Sequence, residues 1–219
     1  MTDDLRPLVI DRRTTPRGEL VLRRAGRHFE VIANGTFLMD TRDGRSERVL
    51  VREALAGAAD ARVLVGGLGV GFSLDEALAA EGVREVVVVE LEPAVVEWAG
   101  SHLRGVTRHG LDDPRVTLIV ADLREALGAL EGRFDAICLD VDNGPGWLVH
   151  DRNAEIYGDA GLAALEALLS PGGRLAVWAA APDAAFEQRL GSRFREVRLV
   201  SIPVQRGPDD VIYLAERRR

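Results

Sequence analysis

Lysine is absent from the 219 residues, so all 28 basic side chains are arginine. With the abundance of alanine, glycine and valine, this points to a GC-rich genome and carries no mechanistic information. Cysteine occurs once, as Cys138, which rules out an internal disulfide. Its setting, Phe134-Asp135-Ala136-Ile137-Cys138-Leu139, is that of a small buried hydrophobe rather than a reactive thiol. An excess of basic charge is also missing: the net charge of -7 argues against a nucleic-acid-binding surface. No apolar run reaches the length of a membrane span. The stretch Met1-Thr2-Asp3-Asp4-Leu5 has no signal-peptide character, so a cytoplasmic location is expected. The four histidines, His28, His102, His109 and His150, show no ligand spacing with one another or with Cys138, and no metal is expected.

What is present is a composition of 47% hydrophobic and 29% charged residues, ordinary for a folded globule. A chain of this size buries roughly 70% of its unfolded surface and needs no staple. Residues 1–45 read as a small antiparallel β-meander. Strand-like runs at 19–24, 28–32 and 36–40 are separated by Ala25-Gly26-Arg27 and by Asn34-Gly35, a strong hairpin signal. So small a sheet must pack on the main body. Residues 46–219 form the second unit, opening with a helix over 46–55. Strands are expected at 62–65, 85–90, 115–120, 135–140 and 174–178, and helices at 73–80, 93–103, 123–130 and 160–169. Apolar strands alternating with helices predict a mostly parallel α/β sheet covered on both faces. Two further strands, at 194–200 and 211–215, suit a terminal antiparallel pair and bring the sheet to seven.

In such a sheet, ligands bind at the carboxyl ends of the strands, near the point where strand order switches. The first strand runs into Gly66-Gly67-Leu68-Gly69-Val70-Gly71, where missing Cβ atoms let backbone approach a ligand. The spacing is not that of the dinucleotide fingerprint and favours a nucleoside without a pyrophosphate. Nineteen residues past Gly71, the second strand ends in Glu90, placed to accept hydrogen bonds from both ribose hydroxyls. Glu92, beside Pro93, suits a helix N-terminus instead. Asp122 closes the third strand; it either accepts from an adenine amino group or caps the next helix. Asp140-Val141-Asp142-Asn143-Gly144-Pro145-Gly146 closes the fourth. Asp140 or Asp142 is positioned to orient an amine and take its proton, or the segment is a turn built from good turn formers. Trp147-Leu148-Val149 reads as a lid or as an anchor for its loop.

Four segments resemble the spermidine synthase family, the polyamine aminopropyltransferases: Val65 to Gly71; Val89-Glu90-Leu91-Glu92-Pro93; Asp113-Pro114-Arg115-Val116 with Ala121-Asp122; and Leu139-Asp140-Val141-Asp142. The resemblance implies a class I methyltransferase-like (Rossmann-like) fold preceded by a small β-domain. It implies that Gly66, Gly67, Gly69, Gly71, Glu90, Leu91, Asp122 and Leu123 line the nucleoside site, with Glu90 on the ribose and Asp122 on the adenine. Asp140 is then the acid facing the amine, with Asp142 and Tyr157 beside it, Tyr157 being equally readable as a core residue. The family also implies a homodimer. Three features depart from it. Gly69 stands where the family has the aspartate that holds the ammonium of decarboxylated S-adenosylmethionine, a bond of roughly 1.5–3 kcal/mol. The family's Tyr-His-Glu is replaced by Val51-Arg52-Glu53, and its Asp-Pro-x-Gly-Pro by Asn143-Gly144-Pro145-Gly146.

The expected function is therefore sulfonium-dependent group transfer to a small amine. Because of Gly69, methyl transfer from S-adenosylmethionine is placed ahead of aminopropyl transfer from its decarboxylated form. A nucleoside-binding protein without chemistry is the other class, and a nicotinamide-dependent oxidoreductase is disfavoured by the glycine spacing.

Overall fold

The structure is a computed structural model and describes residues 6–106, 110–148, 150–204 and 207–218. Residues 1–5, His109, Val149 and Arg219, about which the sequence raises expectations, lie outside the described residues.

The chain opens with four antiparallel strands in the order β1-β2-β3-β4: β1 (Leu8–Thr15), β2 (Gly18–Ala25), β3 (His28–Ala33) and β4 (Thr36–Asp40). Asn34 and Gly35 take φ values of 51° and 78°, the positive pair that a two-residue hairpin demands. Asn34 also fastens the opposite hairpin, its Oδ1 accepting from Glu19 N at 2.9 Å and its Nδ2 donating to Arg17 O at 3.1 Å. The sequence did not announce β1. Leu8 and Val9 are about half exposed on this edge strand, and the charged run Asp11-Arg12-Arg13 hides any alternation.

The meander sits on the main body through polar ties. Trp98 Nε1 donates to Asp11 Oδ2 at 2.9 Å, and Arg13 pairs with Glu97 at 2.9 Å. Leu20, Leu22 and Val31 enter the same apolar cluster as the sheet beneath.

After α1 (Arg45–Leu55) come β5 (Ala61–Gly66), α2 (Phe72–Ala79), β6 (Val83–Glu90), α3 (Pro93–Ala99), β7 (Val116–Val120), α4 (Leu123–Ala126), β8 (Phe134–Leu139), α5 (Ala154–Tyr157), α6 (Asp159–Leu168), β9 (Leu169–Ala179), α7 (Ala184–Arg193), β10 (Arg195–Ile202) and β11 (Asp210–Glu216). The sheet order is β10-β11-β9-β8-β5-β6-β7. Strands β9, β8, β5, β6 and β7 are parallel, and β11 is antiparallel to both β9 and β10. The chain moves outward from β5 to β6 and β7, then returns to the other side of β5 as β8. The switch point thus lies between the ends of β5 and β8.

Two helices are shorter than the sequence predicts. α3 stops at Ala99, ahead of Gly100-Ser101, and α4 stops at Ala126, just before Gly128. α7 was not anticipated. Asp183 caps it by accepting from Ala185 N and Phe186 N, and Phe186 and Leu190, four residues apart, face the core. Pro182-Asp183 ahead of that pair was the available signal.

Alternate strand residues face opposite sides of the sheet. Ala136 and Cys138 of β8 join Val63, Val65, Val86, Val88, Ala176, Ile212 and Leu214 in the core beneath α1, α2 and the meander. Ile137, Leu139, Val87, Val89, Val177 and Tyr213 join the core beneath α4 to α7. Burial holds the Cys138 thiol neutral, its pKa pushed up to about 12.

Candidate functional site

The carboxyl ends of the central strands are laced by backbone hydrogen bonds that continue past the ladders. Gly67 N–H donates to Val89 O at 2.9 Å, Asp140 N–H to Gly66 O at 2.9 Å, and Ala121 N–H to Glu90 O at 3.0 Å. Gly67, at φ 90°, is required by contact as well as by conformation: a Cβ there would lie 2.3 Å from the Asp140 carbonyl oxygen. The glycine turn and the loop after β8 therefore touch at the switch point. A Cβ at Gly66 would collide with the Leu139 and Leu123 side chains, at 2.7 and 3.0 Å. Gly71 precedes α2 in the left-handed conformation. Gly69 has a φ of 55°, but its Cβ would meet only Met39 Sδ, at an ordinary 3.6 Å. Aspartate tolerates that conformation better than most residues. The missing carboxylate at 69 is thus a chemical difference and not a steric necessity.

Glu90 ends β6, buried, with both oxygens accepting from backbone: Oε2 from Leu68 N–H at 2.9 Å and Oε1 from Glu92 N–H at 2.8 Å. Each carboxylate oxygen has a second acceptor site, so these bonds fix the group without exhausting it. Burial raises its pKa; the N–H groups of Glu92, Leu68 and Leu91 oppose that, and the Glu92 charge adds to it. Arg17, from the turn between β1 and β2, donates to Glu92 Oε1 at 2.5 Å and to Leu91 O at 3.1 Å.

Asp122 is the N-cap of α4, accepting from Arg124 N at 3.0 Å and pairing with the Arg124 guanidinium at 2.5 Å. Burial works against its ionisation, but Arg124 outweighs it, and the pKa lies below the ordinary value. The capping alternative is therefore what its side chain does in this structure. Leu123 beside it is buried in the core.

Asp140 follows the last residue of β8. By alternation it continues the row of Ala136 and Cys138, on the face covered by α1. Glu90 continues Val86 and Val88 on that face, and Asp210 precedes Ile212 and Leu214 on it. Val211 pairs with Ala179, one strand over from β8, so Asp210 lies at the same edge of the sheet as Asp140. Glu47, in the first turn of α1, completes the group. Burial, then the charges of Glu47, Asp210 and Glu90, push the Asp140 carboxyl up to about 8. Burial likewise raises Glu47, with Asp210 and Asp43 adding to it, and raises Asp210. Sequence reading missed Glu47 and Asp210. The one lies on a helix and the other far along the chain, and only the strand register brings them to Asp140.

Asp142 and Tyr157 do not join this group. Asp142, at φ 56°, accepts from Asn153 Nδ2 at 2.8 Å and from His150 N at 3.3 Å, which shapes the loop. Tyr157 is buried against Phe186, and its hydroxyl donates to Val141 O at 2.8 Å. Burial, then Asp142 and Asp140, raise its pKa. The Tyr157 hydroxyl thus holds the carbonyl next to Asp140, as the core reading of this residue has it. Trp147 is 63% exposed, so it does not anchor its loop in the core.

A mostly parallel sheet with a glycine-lined switch point and acids gathered at the ends of β6, β8 and β11 defines a methyltransferase-like α/β protein. Comparison with known proteins narrows the class. No family model matches the chain. A polyamine aminopropyltransferase of Mycobacterium tuberculosis is 35% identical over 171 residues, covering 75% of this chain and 31% of the relative. Polyamine aminopropyltransferase 1 of Streptomyces coelicolor is 31% identical over 185 residues, covering 83% and 32%. The chain thus spans about a third of the length of these relatives. The spermidine synthase of Thermotoga maritima superposes with a TM-score of 0.80 at 18% identity, over 96% of this chain and 73% of that one. A spermidine synthase in complex with the transition state analogue AdoDATO gives 0.78 at 18% identity, over 96% and 72%. The chain is related to the spermidine synthase family and has its methyltransferase-like fold.

Proposed function

We propose that the chain is a sulfonium-dependent transferase that passes an aminopropyl group from decarboxylated S-adenosylmethionine to a polyamine. The observation that carries this reading is the placement of Glu90, Asp140 and Asp210 on one face of one sheet edge, beside the glycine turn. The names of the two sequence relatives above, both polyamine aminopropyltransferases, support aminopropyl over methyl transfer. This reverses the order that Gly69 alone suggests.

When bound, the sulfonium donor supplies an electron-poor carbon with a neutral thioether as leaving group. The residues of this chain do the rest. The glycine turn admits the adenosine close to backbone, and Glu90 accepts from the ribose hydroxyls. The acidic edge of Glu47, Asp140 and Asp210 attracts an ammonium-bearing chain and suits no anionic acceptor. Asp140, with a carboxyl near pKa 8, is matched to take a proton near neutrality. The amine nitrogen attacks the carbon bonded to sulfur, the C–N bond forms as the C–S bond breaks, and the surplus ammonium proton passes to Asp140. The products are the extended amine and methylthioadenosine.

Methyl transfer is kept as a second reading on one observation: residue 69 carries no carboxylate to hold the donor's ammonium or repel the carboxylate of intact S-adenosylmethionine. Titration calorimetry with both donors separates the two readings. The aminopropyl reading expects tighter binding of the decarboxylated form; preference for the intact form overturns it. A homodimer covering the open edge of β1 is part of the proposal, supported by exposed Leu8 and Val9. Sedimentation velocity checks it, a monomer at micromolar concentration being the contrary result.

A further inference from the structure

Arg17 belongs to the meander, outside the sheet that carries the site. Its guanidinium nevertheless grips the turn directly after Glu90, through Glu92 Oε1 and Leu91 O. The same turn supplies the Glu92 N–H that holds Glu90 Oε1. A hydrogen-bonded chain thus runs from the meander through Arg17 and the Leu91-Glu92 turn to the carboxylate assigned to the ribose. The second oxygen of Glu92 is buried with no hydrogen-bond partner among the described residues, so the charge of Glu92 depends on Arg17.

We infer that Arg17 is a positioning residue for nucleoside binding: it clamps the Leu91-Glu92 turn and balances Glu92, so that Glu90 meets the ribose as a carboxylate. The inference rests on the reading of Glu90 as ribose acceptor. The charged groups around Glu90 are Glu92 on its own turn, Arg17 from the meander, and Asp140 from the end of β8. Asp122, after β7, faces Arg17 and is itself paired with Arg124. Without the guanidinium, the charge of the half-buried Glu92 bears without compensation on the buried Glu90, and Glu90 takes up a proton nearer neutrality. A protonated Glu90 no longer accepts from two hydroxyls with both oxygens.

The test is calorimetric titration of methylthioadenosine into the full chain between about pH 6 and about pH 8, for wild type, Arg17→Met, Arg17→Lys and the double variant Arg17→Met/Glu92→Gln. Wild-type affinity is expected to change little over this range. Arg17→Met is expected to weaken binding about tenfold at the acid end, the effect of roughly one pKa unit, and less at the alkaline end. Arg17→Lys should recover most of the loss, and the double variant should recover the flat pH profile, because removing the Glu92 charge removes the need for its partner. Should Arg17→Met not fold, Arg17→Lys and the double variant still decide. Wild-type affinity in Arg17→Met, or an equal loss at every pH with no recovery in the double variant, overturns the inference. A wild type that binds no methylthioadenosine overturns the nucleoside reading itself, which keeps the two failures distinguishable.

Discussion

Asp140 carries the heaviest chemical demand of any side chain in the site, since three other acids bear on it where water is partly excluded. Its folded pKa stands above its unfolded value. The protonated carboxyl therefore contributes stability that is complete below about pH 4 and is lost as pH rises through about 8. Asp140→Asn removes that loss. Its melting temperature should exceed wild type by more at pH 8 than at pH 5, as scanning calorimetry across that interval can check. The same substitution should lower turnover by roughly 10²–10⁴-fold, the usual contribution of a positioned acid-base group. Glu90→Gln leaves one of the two backbone donors facing an amide N–H₂ and loses the charge. Methylthioadenosine affinity should fall about 10–100-fold, matching roughly 1.5–3 kcal/mol for hydrogen bonds to a charged group. Both residues were legible in the sequence because each is the last acid of an apolar run. Asp122 and Tyr157 show where that legibility ends. An acid at a strand end is also an acid at a helix start, and the fold alone shows Asp122 capping α4 and Tyr157 bonded to Val141 O.

At the scale of the element, the turn after β5 and the loop after β8 are one piece of structure, because Gly67 lies against the Asp140 carbonyl. Gly67→Ala combines a strained positive φ, about 1–3 kcal/mol, with a clash against backbone that cannot rotate away. Urea unfolding should show at least that loss, and donor binding should fall with it. Gly69→Ala meets open space apart from Met39, so only the conformational part of the cost is expected there. Tyr157→Phe should cost about 1–2 kcal/mol in the same measurement by removing the hydrogen bond to the part-buried Val141 carbonyl, with turnover falling far less than in Asp140→Asn. The strands of the main sheet could be read from apolar runs, and the β3–β4 hairpin from Asn34-Gly35. β1 could not, since an exposed edge strand has no buried face to impose a pattern. Helix ends at Ala99 and Ala126 came earlier than predicted because glycine weakens the next turn while the apolar periodicity runs on.

Across the whole molecule, the acidic edge is assembled from α1, β8 and β11, segments that sequence proximity does not join. Its residues converge through register alone: β11 enters antiparallel beside β9, and α1 lies across the face they share. The meander, on the face that α1 also covers, reaches the same site through Arg17 and Met39. No described helix is long and apolar enough to cross a membrane. Under the proposed function these parts serve a single demand, an adenosine beside a cationic chain. Incubation of the protein with decarboxylated S-adenosylmethionine and an α,ω-diamine, followed by chromatography of the nucleoside, tests this most directly. The account predicts release of methylthioadenosine that requires both substrates and is roughly 10²–10⁴-fold slower in Asp140→Asn. Intact donor with no methylthioadenosine, or release of S-adenosylhomocysteine when S-adenosylmethionine is supplied instead, would contradict it.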